Sequence, residues 1–256
     1  MRRMRKGQGL VEYGLLITLA VLAVILILSL LGVNIGQVYS DVICALSGDG
    51  AVVYQPQGKW NLGSDWKPIS GGNWKNSWQE TPDGQLIGNV DQKKGGATAI
   101  MLNEKLGDDF SVTLDMGQVT NTSNKNKNAA VWNGYGIFFR SSNPSKLDGY
   151  MFEIEQVKQG EPPYLYFREW QNGNQIGSGQ KGNLAYAPVP AGFDLSNPGQ
   201  IRLEVSGDTF AAYINGKKVL EAKDDTFKSG SLGLAVNQGS KATIKDMSVE
   251  DTGCER

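Results

Sequence analysis

The sequence predicts a long N-terminal α-helix followed by an all-β sandwich. The first observation behind this prediction is an apolar run over residues 14–33, which contains no charged side chain. The second is the alternation of apolar and polar residues between short turns over most of residues 57–251, which is the period of β-strands. Scarcely any helical pattern interrupts that second region, so the chain divides into one helix and one β-domain.

The apolar run is long enough to cross a bilayer, because about 20 residues at about 1.5 Å each cover a hydrocarbon core of about 30 Å. Four cations with no acid among them precede it at Arg2, Arg3, Arg5 and Lys6, which favours a cytoplasmic N-terminus. Apolar residues then recur at helical spacing as far as Leu46, and the glycines that follow predict the end of the helix. A secretory signal peptide and a plain single-pass anchor are the alternatives.

The residues at the start of this run resemble those of a known family. The basic leader, Gly7, the segment Gln8-Gly-Leu-Val-Glu12-Tyr13 and the apolar helix resemble the prepilins of the type IV pilus superfamily, and most closely the Flp pilins of Tad systems. The resemblance implies cleavage by a prepilin peptidase after Gly7, a mature chain that begins at Gln8, and assembly roles for Glu12 and Tyr13. It also implies two partners, the inner-membrane pilus assembly machinery and further copies of the chain in a filament. Flp pilins are usually little more than the helix, so the large domain leaves a major pilin, a minor pilin and a pseudopilin open.

The predicted organisation has five parts. They are residues 1–7 as prepilin leader, 8–46 as transmembrane and filament-core helix, 47–56 as linker, 57–251 as sandwich and 252–256 as C-terminal tail. Cys44 and Cys254 lie near the two ends of the predicted exported region, where an oxidising compartment would let them pair. We predict that disulfide, with two free thiols as the alternative.

Composition argues against several functional classes. The formal net charge is −1 and becomes more negative without the basic leader, so the body offers no basic surface to nucleic acid. The absence of histidine removes the commonest zinc ligand and the usual base of a catalytic triad. The acid pairs Asp108-Asp109 and Asp224-Asp225 would suit calcium, but paired acids in turns are more often solvated. We predict no metal and no cofactor.

The β-domain has clear strand and turn signals. The predicted strands are residues 110–116, 136–140, 150–155, 164–167, 201–205, 210–214, 218–220, 232–236 and 242–247. Ser206-Gly207-Asp208 and Asn215-Gly216 predict hairpins, because tight turns favour glycine or asparagine at positive φ. So many short strands in one region predict a single two-sheet sandwich.

Several of these strands also resemble those of a known fold family. The segments similar to the closing hairpins of concanavalin A-like and laminin G-like jelly rolls are 200–205, 213–217, 233–236 and 243–247. The segments 136–140 and 149–155 resemble the middle strands of bacterial 3-keto-disaccharide hydrolase domains. The resemblance implies a concanavalin A-like jelly roll, so the predicted fold class is a long N-terminal α-helix followed by an all-β jelly-roll sandwich (concanavalin A-like). It does not imply one function, because such folds serve as lectins, adhesion modules, glycosidases and spacers.

Glu153 and Glu155 are the best catalytic candidates. They alternate onto one face of a predicted strand, where two carboxyl groups could approach the spacing of a glycosidase pair, roughly 5 to 9.5 Å. Jelly-roll glucanases carry a Glu-x-Asp-x-x-Glu strand, but its third acid falls on Lys158 here. We therefore predict two solvated glutamates on a sheet face, and no enzyme.

Aromatic residues favour sugar binding over catalysis. Those concentrated in the first half and in the loops are Trp60, Trp66, Trp74, Trp78, Trp132, Trp170 and Tyr186. An apolar ring face can stack on a sugar while polar neighbours bond its hydroxyls. We select Trp74, Trp78, Trp132 and Trp170 as candidate glycan-binding residues, with core packing as the alternative. Asn121 begins an Asn-Thr-Ser sequon, which predicts glycosylation.

The function predicted from the sequence is that of a structural pilin subunit. It would insert into the cytoplasmic membrane as a precursor and then form an extracellular filament that displays a lectin-like head for adhesion to surface glycans. Two alternatives stay open. One is a membrane-anchored carbohydrate-binding or glycoside-hydrolase domain, and the other is a pseudopilin of a secretion system.

Overall fold

The computed structural model describes residues 51–69, 74–75, 77–90, 96–121, 130–142, 147–158, 160–176 and 182–251. Within these ranges two β-sheets pack face to face around one main core, so the predicted jelly-roll sandwich is confirmed. No helix in the described ranges is long and apolar enough to cross a membrane. The predicted leader, the predicted helix and the predicted C-terminal tail lie outside the described residues.

The first sheet has eight strands in the described residues. They are β1 (Ala51–Tyr54), β4 (Trp78–Glu80), β5 (Leu86–Asn89), β7 (Phe110–Asn121), β13 (Gln200–Ser206), β14 (Thr209–Ile214), β15 (Lys217–Lys223) and β17 (Ser240–Asp251). Their order is β15-β14-β13-β7-β17-β5-β4, and β1 pairs with the end of β17. The sheet therefore includes residues that the sequence assigned to the linker.

The second sheet has nine strands in the same ranges. They are β2 (Trp66–Pro68), β3 (Trp74–Lys75), β6 (Ala97–Leu106), β8 (Ala130–Ser141), β9 (Gly149–Lys158), β10 (Tyr164–Gln171), β11 (Asn174–Gln175), β12 (Asn183–Pro188) and β16 (Gly230–Val236). Their order is β11-β10-β9-β8-β16-β6-β2, with β12 on β10 and β3 on β6. This order puts β9 and β10 side by side and places β8 between β9 and β16.

Each strand predicted from alternation lies within an observed strand. The hairpin predicted at Asn215-Gly216 is also present, since these residues have φ values of 49° and 76° and join β14 to β15. The strand β6 was missed because it is apolar almost without alternation. Its Ile100 belongs to the main core, whereas its Met101 belongs to a second apolar cluster on the other side of the sheet.

The second sheet thus has apolar residues on both faces. Its inner face contributes residues such as Phe152 of β9 to the main core. Its outer face carries the second apolar cluster, which includes Met151. Side chains of a strand alternate between faces, so Glu153 and Glu155 lie on the outer face in the same row as Met151.

Candidate functional site

The two glutamates of β9 are buried on the outer face of the second sheet. Glu153 is only 2% exposed and Glu155 only 3% exposed. The prediction that they are solvated is therefore wrong. They lie on a sheet face as expected, but Arg168 of β10 and Asn237, just after β16, lie against their carboxylates. Burial of two acids requires compensating donors, and these two residues supply them.

Arg168 holds both carboxylates with one guanidinium group. Its Nη1 donates to Oε2 of Glu153, and its Nη2 donates to Oε2 of Glu155 at 2.9 Å. Its Nε donates to Oδ1 of Asn183 at 3.1 Å, and its Cζ lies 4.1 Å from the centre of the Tyr166 ring. The planar fork of arginine suits this bridge, because each arm meets a different acid.

Asn237 binds the same two acids from the other side. Its Nδ2 donates to Oε1 of Glu153 and, at 3.2 Å, to Oε1 of Glu155. The glutamates reach it across β8, where Gly134 and Gly136 are their cross-strand partners. A Cβ at residue 134 would lie 3.2 Å from Nδ2 of Asn237. Glycine at residue 134 therefore leaves room for the side-chain amide of Asn237.

Burial and mutual repulsion change the ionisation of this cluster. Burial, and then the charge of Glu153, raise the pKa of Glu155 to about 7 against the lowering effect of Arg168 and Asn237. Burial opposes the charge on Arg168 as well, but the two carboxylates outweigh it and raise the pKa of this guanidinium. The cluster can therefore take up a proton near neutral pH while the arginine stays charged.

We expect the free energy of unfolding to fall as the pH rises from about 4.5 to about 7, by about 3 kcal/mol for this group. In that interval the folded chain keeps a proton on Glu155 that the unfolded chain has released. Because the folded state binds more protons, a rise in pH destabilises it relative to the unfolded state. Urea unfolding at several pH values measures the slope. In Glu155→Gln the fall of the free energy of unfolding between about pH 4.5 and 7 should be smaller by this amount. An unchanged slope in that variant would contradict a raised pKa of Glu155.

The cluster forms the floor of a cleft of about 460 Å³. The cleft is lined by Gly96, Ala97, Met151, Glu153, Glu155, Arg168, Trp170, Gly173, Gln175, Asn237 and Gln238. Trp170 packs edge-on against Phe138, with ring centres 5.5 Å apart. This volume lies within the range of small-molecule sites, about 300 to 1,000 Å³. The site thus combines a charged floor with an aromatic wall.

Further aromatic rings lie beside the cleft. Tyr164, Tyr166, Arg168 and Trp170 alternate along β10, and Tyr166 is the cross-strand partner of both Glu153 and Tyr186. Tyr186 is 43% exposed at the β12 edge. Sequence reasoning missed Arg168, Asn237, Tyr164 and Tyr166. The period-two pattern Tyr-x-Tyr-x-Arg-x-Trp was the signal that could have found those on β10.

The tryptophans predicted from the sequence have different environments. Trp60 and Trp66 are fully buried, and Trp78 is 7% exposed within the main core, so none of them offers a ring face to a sugar. They are core residues because the strands of the first half pack them between the sheets. Trp170 lines the cleft. The side chains of Trp74 and Trp132 lie outside what the structure describes.

One acid of each pair considered for calcium accepts a hydrogen bond within the protein. Oδ1 of Asp109 accepts from the Gly207 amide at 2.6 Å, and Oδ1 of Asp224 accepts from the Tyr150 hydroxyl at 2.5 Å. No group of three or more acidic or cysteine residues that could hold a metal occurs in the described part of the chain.

Asn121 is exposed at the end of β7, and its glycosylation stays a prediction.

The fold and the cleft define a jelly roll of the concanavalin A-like class. Residues 57–250 match the family described as 3-keto-alpha-glucoside-1,2-lyase-like domain. The chain belongs to this family. A comparison with curated protein sequences finds no match.

Solved structures share the fold at low sequence identity. The carbohydrate-binding module CBM66 from Bacillus subtilis is 22% identical with a TM-score of 0.53, over 73% of this chain and 96% of that chain. A Bacillus subtilis protein of unknown function with a galectin-like fold is 17% identical with a TM-score of 0.53, over 79% and 97% of the two chains. The Bacillus licheniformis β-glucanase is 14% identical with a TM-score of 0.53, over 79% and 99%. At these identities the likeness shows the fold alone.

These findings contradict the prediction that the chain functions as a pilin subunit. The family match covers the β-domain, and similar solved structures include a carbohydrate-binding module and a glucanase. The family match supports the alternative of a carbohydrate-binding or glycoside-hydrolase-like domain, and none of these findings supports the pilus partners. The residues predicted for processing, assembly and a disulfide all lie outside the described residues: Gly7, Gln8, Glu12, Tyr13, Cys44 and Cys254. The disulfide stays a prediction.

Proposed function

We propose that this domain binds neutral carbohydrate in the outer-face cleft of the second sheet and does not cleave it. The observation that carries the proposal is the buried network of Glu153, Glu155, Arg168 and Asn237 on the cleft floor, with Trp170 beside it. Carboxylates and amides bond sugar hydroxyls, and an aromatic face covers the apolar side of the ring. This combination is what supports carbohydrate as the ligand.

The network fixes the carboxylates and leaves them able to accept more hydrogen bonds. Each oxygen of Glu153 and Glu155 receives one hydrogen bond, from Arg168 or from Asn237. A carboxylate oxygen can accept two, so each has capacity for one sugar hydroxyl. Because the acceptors are held in place before a ligand arrives, binding loses little side-chain entropy.

The charges of the cleft favour a neutral sugar over an acidic one. Two carboxylates on the floor face a single guanidinium, so a uronate would bring a third carboxylate into a partly desolvated site. The volume of about 460 Å³ suits a mono- or disaccharide end better than a flat, extended polymer face. The proposal also takes the apolar run at residues 14–33 as a membrane anchor, which is an alternative that the sequence leaves open.

A glycan array followed by calorimetry on the full-length chain tests this function. We expect Trp170→Ala to weaken binding of the best neutral glycan by about tenfold or more, because truncating a contact aromatic costs more than about 1 kcal/mol. Tyr213→Ala is the matched control, since Tyr213 is a half-buried aromatic of the first sheet. Absence of any neutral glycan ligand, or full affinity in Trp170→Ala, would refute the proposal.

Acid–base catalysis is a second candidate, favoured by the pKa of Glu155 near 7. The family description names a 1,2-lyase of 3-keto-α-glucosides. Such an elimination needs a base for the proton next to the ketone and an acid for the departing oxygen, roles that Glu153 and Glu155 could share. Turnover of a 3-keto-glucoside that disappears in Glu155→Gln would favour this candidate over binding alone.

A further inference from the structure

A second cavity lies at the rim of the sandwich, away from the cleft. It has a volume of about 240 Å³ and shares no lining residue with the first. Its polar lining includes Thr120 of β7, Asn133 of β8, Gln156 of β9, Ser240 of β17 and the loop residue Asp194. Because β7 and β17 belong to the first sheet and β8 and β9 to the second, the cavity lies where the two sheets meet.

Asn133 is the unusual residue of this cavity. It is 2% exposed, yet neither Oδ1 nor Nδ2 of its side chain has a hydrogen-bond partner among the residues that the structure describes. Buried amides are normally paired, because an unpaired one loses its bonds to water without replacement. Leucine would fill a similar volume here without that cost. A buried amide that lines a cavity therefore points to a partner inside it.

The neighbours of Asn133 use some of their polar atoms elsewhere. Oγ of Ser240 accepts from the Gly134 amide at 2.8 Å, which leaves its hydroxyl hydrogen to donate. Nε2 of Gln156 donates to the Glu161 carbonyl at 2.7 Å. The cavity thus offers a mixture of donors and acceptors around one unsatisfied amide.

This mixture selects the chemistry of the ligand. A metal cation would satisfy Oδ1 of Asn133 but not its Nδ2, and an anion would meet the carboxylate of Asp194 in the same lining. A hydroxyl group can donate to Oδ1 and accept from Nδ2. The volume equals that of about eight waters, which is room for a molecule the size of a monosaccharide.

We propose that the rim cavity is a second binding site, for a small neutral ligand with several hydroxyl groups, such as a monosaccharide or a polyol. Asn133 is its central contact, and Ser240 and Gln156 complete it. The site is independent of the proposed function, because it shares no residue with the cleft.

The experiment titrates the full-length chain with glucose, fructose, galactose and glycerol and follows two observables. The first is the side-chain amide resonance of Asn133 in the wild-type protein, which should shift and saturate with one of these probes. The second is calorimetric affinity in Asn133→Leu, which should fall at least tenfold for that probe, while the melting temperature stays equal or rises because the unpaired amide is gone.

Trp170→Ala separates this site from the cleft, because Trp170 lines the cleft and not the rim cavity. We expect it to leave the Asn133 response intact even where binding in the cleft is lost. An Asn133 resonance that no probe shifts would show that the cavity holds water only, and this would overturn the proposal. Equal affinity of Asn133→Leu and wild type for the probe would overturn it as well.

Discussion

Replacing Arg168 by methionine is expected to weaken carbohydrate binding by about 100-fold or more and to lower the free energy of unfolding by about 3 to 5 kcal/mol at pH 8. Methionine keeps an unbranched apolar stem but removes the guanidinium charge that faces Glu153 and Glu155. Two carboxylates would then stay buried with Asn237 as their only side-chain donor in the described part of the chain. Both effects follow from that uncompensated charge.

Calorimetry and urea unfolding of the full-length chain measure the two losses. The destabilisation should be smaller at pH 5 than at pH 8, because protonation of Glu155 removes one of the buried charges. Arg202→Met is the matched control. Arg202 also lies on a strand and pairs with Glu204 at 2.9 Å, but its side chain is 42% exposed, so its loss should cost less than about 1 kcal/mol. Equal effects of the two substitutions would show that Arg168 has no special role.

The sandwich could be predicted because its information is local. The alternation of apolar and polar residues that predicts β7, β9 and β13 lies within each strand. The turn at Asn215-Gly216 is predicted by two neighbouring residues. The strand β6 was missed for a tertiary reason. Its residues are buried on both faces, so alternation between polar and apolar residues disappears.

The candidate site could be predicted only in part, because it depends on strand register. Alternation placed Glu153 and Glu155 on one face, but their solvation depends on what lies next to them. Arg168 reaches them only through the pairing of β9 with β10, and Asn237 is 84 residues from Glu153 along the chain. Neither contact has a signal in a single sequence, so two acids on a strand were interpreted as solvated.

The family resemblances differed in what they could support. The strands 136–140 and 149–155 lie in β8 and β9, next to the cleft, and the family match covers them. The pilin resemblance rested on residues outside the described chain, and the function predicted from it was contradicted by findings on the β-domain. A motif at the N-terminus therefore does not predict the function of the separate β-domain that follows it.

Arg140 is a second arginine with a buried guanidinium, at the end of β8. It is 1% exposed, and its φ of 51° is uncommon for a residue with a Cβ. Nη1 donates to the Phe227 carbonyl at 3.1 Å, and Nη2 donates to the carbonyls of Asp108 and Gly207, each at 2.6 Å. The Cζ atom lies 5.5 Å from the ring centre of Phe210. One side chain therefore joins three loops at this end of the sandwich.

We expect Arg140→Met to lower the free energy of unfolding by about 4.5 kcal/mol or more, because three hydrogen bonds from a charged donor, worth about 1.5 to 3 kcal/mol each, would be lost. Arg140→Lys should recover only part of this, since a single ammonium cannot reach three carbonyls with the geometry of a planar fork. Urea unfolding gives the magnitude, and hydrogen exchange should show faster opening of the loops around Asp108, Gly207 and Phe227. Because Arg140 does not line the cleft, carbohydrate affinity of the folded variant should stay near that of the wild type. A loss of less than about 1 kcal/mol in Arg140→Met would show that water replaces the guanidinium without cost and that this arginine does not hold the loops together.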